Sequence, residues 1–170
     1  MTSSSATRVI NVILAGLGGQ GVLKASDILA EAAFLTGLDV KKAEVHGMSQ
    51  RGGSVTSDVR FGPRVLSPMV PGGEADFLVV LAEEEVEHNR PALRPTGTLI
   101  DPALLRGVEL PHPRTLNIAL LGVLSRALDF SDDIWQQALQ THLPKKVHEL
   151  NRRAFELGRQ FDSSKSLITP

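Results

Sequence analysis

Gly16, Gly18 and Gly21 in "AGLGGQGVLKAS" (residues 15–26) carry the G-x-G-x-x-G spacing of a strand-to-helix turn. Such a turn aims backbone N–H groups and the positive end of a helix outward, a setting that favours phosphates and other anions. A second set of reactive side chains lies in "EVHGMSQRGGSVTSDVRFG" (residues 44–62), where His46, Met48, Ser49, Gln50 and Arg51 stand among Gly47, Gly52 and Gly53. A plain hairpin connection needs only about two or three turn residues. This one brings an imidazole, a hydroxyl, an amide and a guanidinium beside flexible glycines, a set suited to a polar or anionic ligand.

The glycine spacing alone does not define a dinucleotide site. Such a unit also wants an acid about 20 residues onward, a place Glu44 could fill, and a helical crossover to a third parallel strand. Only "HGMSQRGG" separates the next two strand-like runs, too little for a parallel connection and enough for a hairpin-like return. A Walker A loop is excluded because Val22 and Leu23 follow Gly21 in place of Lys and Ser or Thr. Other chemistry-bearing residues have plainer readings. His46 is more readily a hydrogen-bonded structural histidine than a general base, with Glu44 its one carboxylate neighbour in sequence. The acids of "EEEVEH" (83–88) suit a solvated first helical turn better than a metal site. His112 and His142 lack metal-ligand spacing, and Leu116, Leu120, Leu121 and Leu124 form a packing stripe. Trp135 is expected to pack a helix or an interface. Lys145, Lys146, Arg152 and Arg153 suit a solvated helix face, with docking of a protein partner as the alternative.

The elements that must position these loops follow from pattern. "RVINVILAG" reads as a strand buried on both faces, and Val22, Ala25, Leu29 and Ala32 recur at helical spacing up to a C-terminal cap at Gly37. "DVKKAEVH" and "GSVTSDVRFG" read as two further strands. The latter is half-exposed and antiparallel, with Val55, Ser57, Val59 and Phe61 on one face and Thr56, Asp58 and Arg60 on the other. "RVLSPMVPGG" reads as a loop, or as a short edge strand limited by its two prolines, "DFLVVLA" as another buried strand, and "RPTGTLIDP" as a turn before a short strand around Leu99 and Ile100. The last third is helical, with Ser131 an N-cap and Pro144 in a first turn. The fold class is α/β: a single three-layer domain over residues 8–160, its mainly parallel sheet carrying one antiparallel, hairpin-like strand. Residues 1–7 and 161–170 are expected to be loose.

Bulk properties limit what these loops can serve. The formal net charge is −1, so nothing draws the chain to nucleic acid or to an anionic membrane. No apolar run approaches the roughly 20 residues that span a bilayer, and "MTSSSATR" has no signal-peptide core, which points to the cytoplasm. The chain contains no cysteine, so it can supply no thiolate to a metal or an iron–sulfur cluster.

Taken in this order and at this separation, the two loops resemble those of the gamma subunit, or gamma domain, of 2-oxoacid:ferredoxin oxidoreductases. "SPMVPGGEADFLVVL", "RTLNIALLGVLS" and "NRRAFELG" extend the likeness over residues 9–158. Within the family the small subunit of the indolepyruvate enzymes is the most similar. The resemblance implies a subunit inactive alone, in an enzyme that converts a 2-oxoacid to an acyl-CoA and reduces ferredoxin. It places thiamine diphosphate, magnesium and the iron–sulfur clusters on a large partner subunit, with coenzyme A as co-substrate and none of the cofactors held by this chain. A homodimer of the protomer is a further implied possibility. Gly16, Gly18, Gly19, Gln20 and Gly21 match the first family loop, and His46, Gly47, Met48, Ser49, Gln50, Arg51, Gly52 and Gly53 the second. Asn117 matches a polar position opening a late helix. The resemblance implies that the first loop and Arg51 meet phosphates or the partner's active-site rim, with Gln20 and Asn117 offering amide contacts. "HGMSQRGG" is the form associated with arylpyruvate enzymes, whereas pyruvate and 2-oxoglutarate relatives carry a "GAE-x-RGG"-like stretch. The alternatives are a gamma subunit of a pyruvate, 2-oxoglutarate or ketoisovalerate enzyme, a stand-alone nucleotide-binding oxidoreductase, or a regulatory module that kept only the fold.

Overall fold

The computed structural model describes residues 7–47 and 52–161. The expectations for Met48, Ser49, Gln50 and Arg51, and for most of the two chain ends, lie outside the described residues. Phe161, assigned to a loose end, packs against the main core.

Strand β1 (Ile10–Leu17) lies at the centre of a five-stranded sheet together with β2 (Asp39–His46), β3 (Ser54–Gly62), β4 (Ala75–Val80) and β5 (Leu93–Ile100), in the order β2-β3-β1-β4-β5. β3 is antiparallel to both its neighbours, and β1, β4 and β5 are parallel, so β3 alone runs against the other four. The single reversed strand is the one its alternating pattern marks. Its position matters more. β3 fills the place beside β1 that a dinucleotide-binding unit gives to the parallel strand after the first helix.

β1 reads as a continuous apolar run because both its faces are covered. Val12 and Leu14 enter the larger core, and Ile13 and Ala15 the smaller one. The larger core lies under the helices α1 (Val22–Leu35), α3 (Leu116–Ser125), α4 (Asp132–His142) and α5 (His148–Arg159). The other face carries a thin third layer, a 3-10 turn at Glu83–Glu85 continuing into α2 (Val86–Asn89), whose Val86 closes the smaller core with Leu78 and Val80.

α3 is buried on every side, which its apolar run over residues 118–124 requires. It meets α5 at two glycines. A Cβ on Gly122 would sit 2.2 Å from the Phe155 carbonyl oxygen, and one on Gly158 would sit 1.8 Å from that of Ala119. Phe61, Phe130, Trp135 and Phe155 form a chain of tilted rings with centroids 5.4–5.6 Å apart, linking β3 to α4 and α5. Trp135 is completely buried, as expected for packing.

Two local expectations change. The polar face of β3 is covered, because the loop after it folds back: Arg60 donates to the Ser67 and Met69 carbonyl oxygens, and the Val70 N–H donates to Asp58. "RPTG" is also no turn. It belongs to β5, which is bulged opposite Ala75 and Phe77, and an edge strand tolerates Pro95 because one side needs no N–H donor. Ser131 does cap α4, and Gly37 closes the end of α1 at φ 85°. Among the described residues no helix is long and apolar enough to cross a membrane.

Candidate functional site

The chemistry-bearing residues gather at the carboxyl edge of the parallel strands. β1 leaves the sheet at Leu17, and the turn that follows closes on itself. Gln20 N donates to the Leu17 carbonyl at 3.1 Å, while the Leu17 N–H donates to Gln20 Oε1 at 2.7 Å. Gly21 then enters α1 at φ 84°, a left-handed conformation that a side chain strongly disfavours. No side chain caps α1, and its first turn holds no acid, so the positive end of the helix is left uncompensated within the described residues.

The second loop begins where β2 ends at His46 and returns to the sheet at Ser54. Its base is clasped by Gly47 N donating to the Ser54 carbonyl at 2.7 Å. The two loops are joined directly, because Gly18 N donates to the Gly53 carbonyl at 2.8 Å. Sequence spacing anticipates this shared edge, and the structure brings Gly16, Gly18, Gly19, Gln20 and Gly21 together with His46, Gly47, Gly52 and Gly53.

Asn117 arrives from the other end of the chain. Its Nδ2 donates to the Gly21 carbonyl at 3.1 Å, and its Oδ1 accepts from the Ile118 N–H at 2.9 Å. Asn117 is buried and Gln20 Oε1 is taken up by Leu17, so both amides hold the turn in shape.

The electrostatics of the edge are mixed. His46 is exposed, its Nε2 3.9 Å from Glu44 Oε2, a loose pairing that does not build a catalytic dyad. Glu44 also meets Lys42 at 2.7 Å, and Lys42 reaches Asp27 and the Ser26 hydroxyl as well. Burial works against the Lys42 charge, but its bonds to Asp27 and Glu44 outweigh that and raise its pKa above the usual lysine value. Lys42 is thus neutralised locally by two carboxylates. Among the described residues no group of three His, Cys, Asp or Glu side chains could hold a metal ion.

The sequence places Glu85 in a solvated acidic turn. Glu85 instead accepts a hydrogen bond from Ser54 Oγ at 2.8 Å, at the base of the second loop. No spacing signals that contact, since the two residues are 31 positions apart. His112 caps the 3-10 turn before α3 by accepting the Arg114 N–H, and it takes no part in the site.

Comparison with known proteins gives a consistent set of matches. The family model described as pyruvate ferredoxin/flavodoxin oxidoreductase matches residues 11–111 and 102–161. Indolepyruvate oxidoreductase subunit IorB of Thermococcus kodakarensis is 33% identical, the alignment covering 87% of this chain and 93% of that protein. 2-Oxoglutarate synthase subunit KorC of Archaeoglobus fulgidus is 28% identical over 93% of this chain and 92% of its own. Among solved structures, the gamma subunit of a keto/oxoacid ferredoxin oxidoreductase from Geobacter sulfurreducens superposes with a TM-score of 0.71 at 24% identity, over 88% of this chain and 95% of that one. The 2-oxoglutarate:ferredoxin oxidoreductase of Magnetococcus marinus, solved with 2-oxoglutarate, coenzyme A and succinyl-CoA bound, superposes with a TM-score of 0.79 at 21% identity. That match covers 96% of this chain and 32% of the longer one, so the whole fold here corresponds to one part of a larger polypeptide.

Proposed function

The chain belongs to the pyruvate ferredoxin/flavodoxin oxidoreductase family as a small subunit of a 2-oxoacid:ferredoxin oxidoreductase, and from that premise we propose that it serves an enzyme oxidising an aryl 2-oxoacid, indolepyruvate above all. Its contribution is the edge formed by the glycine turn and the second loop, facing coenzyme A and the large subunit's active site. The observation carrying this reading is the Gly18–Gly53 hydrogen bond, which fuses two loops rich in donors into one surface at the uncapped start of α1. A parallel sheet presents ligands at that edge.

Thiamine diphosphate, magnesium and the iron–sulfur clusters belong to the large subunit in this reading, since the chain has no thiolate to offer a cluster. When bound there, they supply the decarboxylation and the electron path to ferredoxin. The residues of this chain bind and orient. N–H groups of the turn and the Arg51 guanidinium take the phosphates of coenzyme A, and Gln20 and Asn117 hold the turn in shape for them. The arylpyruvate assignment is supported by "HGMSQRGG" and by the 33% identity to an indolepyruvate oxidoreductase subunit. The reaction takes place in the cytoplasm. A stand-alone nucleotide-binding enzyme is disfavoured by β3 standing between β1 and β2.

The test is anoxic co-production with the large subunit, assay of iron and thiamine in the purified assembly, and turnover of indolepyruvate, phenylpyruvate, pyruvate and 2-oxoglutarate with coenzyme A. Preference for the aryl acids is expected, with R51A raising KM for coenzyme A about tenfold, in the range for loss of a charge-assisted contact. Faster turnover of 2-oxoglutarate would overturn the substrate assignment, and an unchanged KM in R51A would overturn the coenzyme A-facing role of the loop.

A further inference from the structure

Ser54 is the residue at which the second loop rejoins the sheet, and three independent hydrogen bonds meet around it. Its carbonyl accepts from Gly47 N at 2.7 Å, the preceding carbonyl of Gly53 accepts from Gly18 N at 2.8 Å, and its own Oγ donates to Glu85 Oε2 at 2.8 Å. The first two bonds lie within the loops. The third comes from the thin layer on the opposite side of the sheet from α1.

Glu85 is itself held firmly. The Asn89 side chain, buried, donates to the Glu85 carbonyl at 2.8 Å, the Glu85 N–H donates to Ala82, and the next residue, Val86, is buried in the smaller core. The segment leading into this turn is fastened to the central strand, since Leu81 N donates to the Ala15 carbonyl at 2.8 Å. A half-buried carboxylate on so fixed a base makes a stiff anchor, and a bond to a charged acceptor is stronger than one between neutral groups. Glu83 and Glu87, its exposed neighbours, pair instead with Arg106 and Arg90.

We propose that Glu85 is a positioning residue for the second loop: through Ser54 it fixes the Gly53–Ser54 corner to which the N–H groups of Gly18 and Gly47 donate. The proposal deepens the reading of that loop as coenzyme A-facing and rests on it for its catalytic consequence. It makes the acidic turn after β4 a third component of the site, beside the two glycine-containing loops.

The experiment has two readouts. In the isolated subunit, amide hydrogen exchange is followed at Gly18 and Gly47, whose N–H groups donate into the Gly53–Ser54 corner, with Leu81 as internal control. E85A and S54A are expected to speed exchange at both glycines about tenfold or more while leaving Leu81 unchanged, and E85Q, which keeps an acceptor oxygen, restores protection. In the assembled enzyme, E85A raises KM for coenzyme A about fivefold with kcat held, and E85Q again restores it. Unchanged exchange at Gly18 and Gly47 in both E85A and S54A overturns the proposal. Accelerated exchange with an unchanged KM upholds Glu85 as the anchor of the loop and counts against the coenzyme A-facing reading, so the two failures are told apart.

Discussion

Asn117 Nδ2 donates to the carbonyl oxygen of Gly21 at 3.1 Å, across 96 positions of sequence. The bond joins the start of α3 to the start of α1 and leaves Asn117 packed where a side chain on residue 21 would go. A Cβ on Gly21 would lie 2.4 Å from Asn117 Nδ2.

G21A is therefore expected to carry two separable costs. The left-handed backbone contributes about 1–2 kcal/mol, and the collision with Asn117 about 1–3 kcal/mol more. Thermal or denaturant unfolding of G21A, N117A and the double variant measures the coupling. The double variant should be less unstable than the sum of the singles, because N117A removes the collision and leaves the backbone strain. Strict additivity would show that the two residues do not share that space.

The contact between α3 and α5 reverses the usual ranking of glycine and alanine. In an open helix interior Gly to Ala gains about 1 kcal/mol. At Gly158 the new methyl would strike the Ala119 backbone, and G158A is expected to lose about 2–4 kcal/mol, the helices being forced apart. G122A, facing Phe155, should behave alike. Denaturant midpoints decide it, and a gain in stability at either position would refute the close approach of the two helices.

Two buried aspartates have opposite acid responses. Burial pushes the Asp76 carboxyl up, but bonds from Arg8, the Asn11 N–H and Arg94 together outweigh it and hold the group below the usual carboxylate range. Its stability contribution is present above the unfolded carboxylate pKa and is lost as pH falls through the lowered folded value. For Asp58, burial dominates over the Val70 N–H and Arg60, and its pKa is raised. Its ionisation therefore costs stability as pH rises through the raised value, and the cost is relieved in acid. D76N should lose about 1–2 kcal/mol near neutrality, the exposure of both arginines limiting the effect, and the loss should fade in acid. D58N should gain stability near neutrality. Unfolding curves from neutral pH down to about pH 3, below the reference pKa of aspartate, check both signs, and a D58N variant less stable than the parent at neutral pH would reject the second.

The parts of the site legible in sequence are those set by neighbours in the chain. The glycine turn is marked by an apolar run that must be a strand and by an apolar stripe that must be a helix. The reversed direction of β3 follows from the shortness of "HGMSQRGG" together with the alternation of Val55, Ser57, Val59 and Phe61. The edge strand β5 was obscured because Pro95 and Gly97 look like turn residues. Only the sheet shows that Pro95 stands on an outer edge and that Gly97 fits closely against the Ala75 carbonyl.

What the sequence by itself determined is the kind of element that most segments form, the family the chain belongs to, and the two loops in which donor groups concentrate. Hydrophobic period, glycine placement and loop length are local properties, and local sterics enforce them. Only the tertiary structure decided that β3 separates β2 from β1, that Asn117 serves the turn at Gly21, and that Glu85 reaches Ser54. Those relationships span 31 to 96 positions of chain and arise from burial shared between distant segments. Buried polar groups must find partners, and which partners come within reach is set by the packing of the whole core.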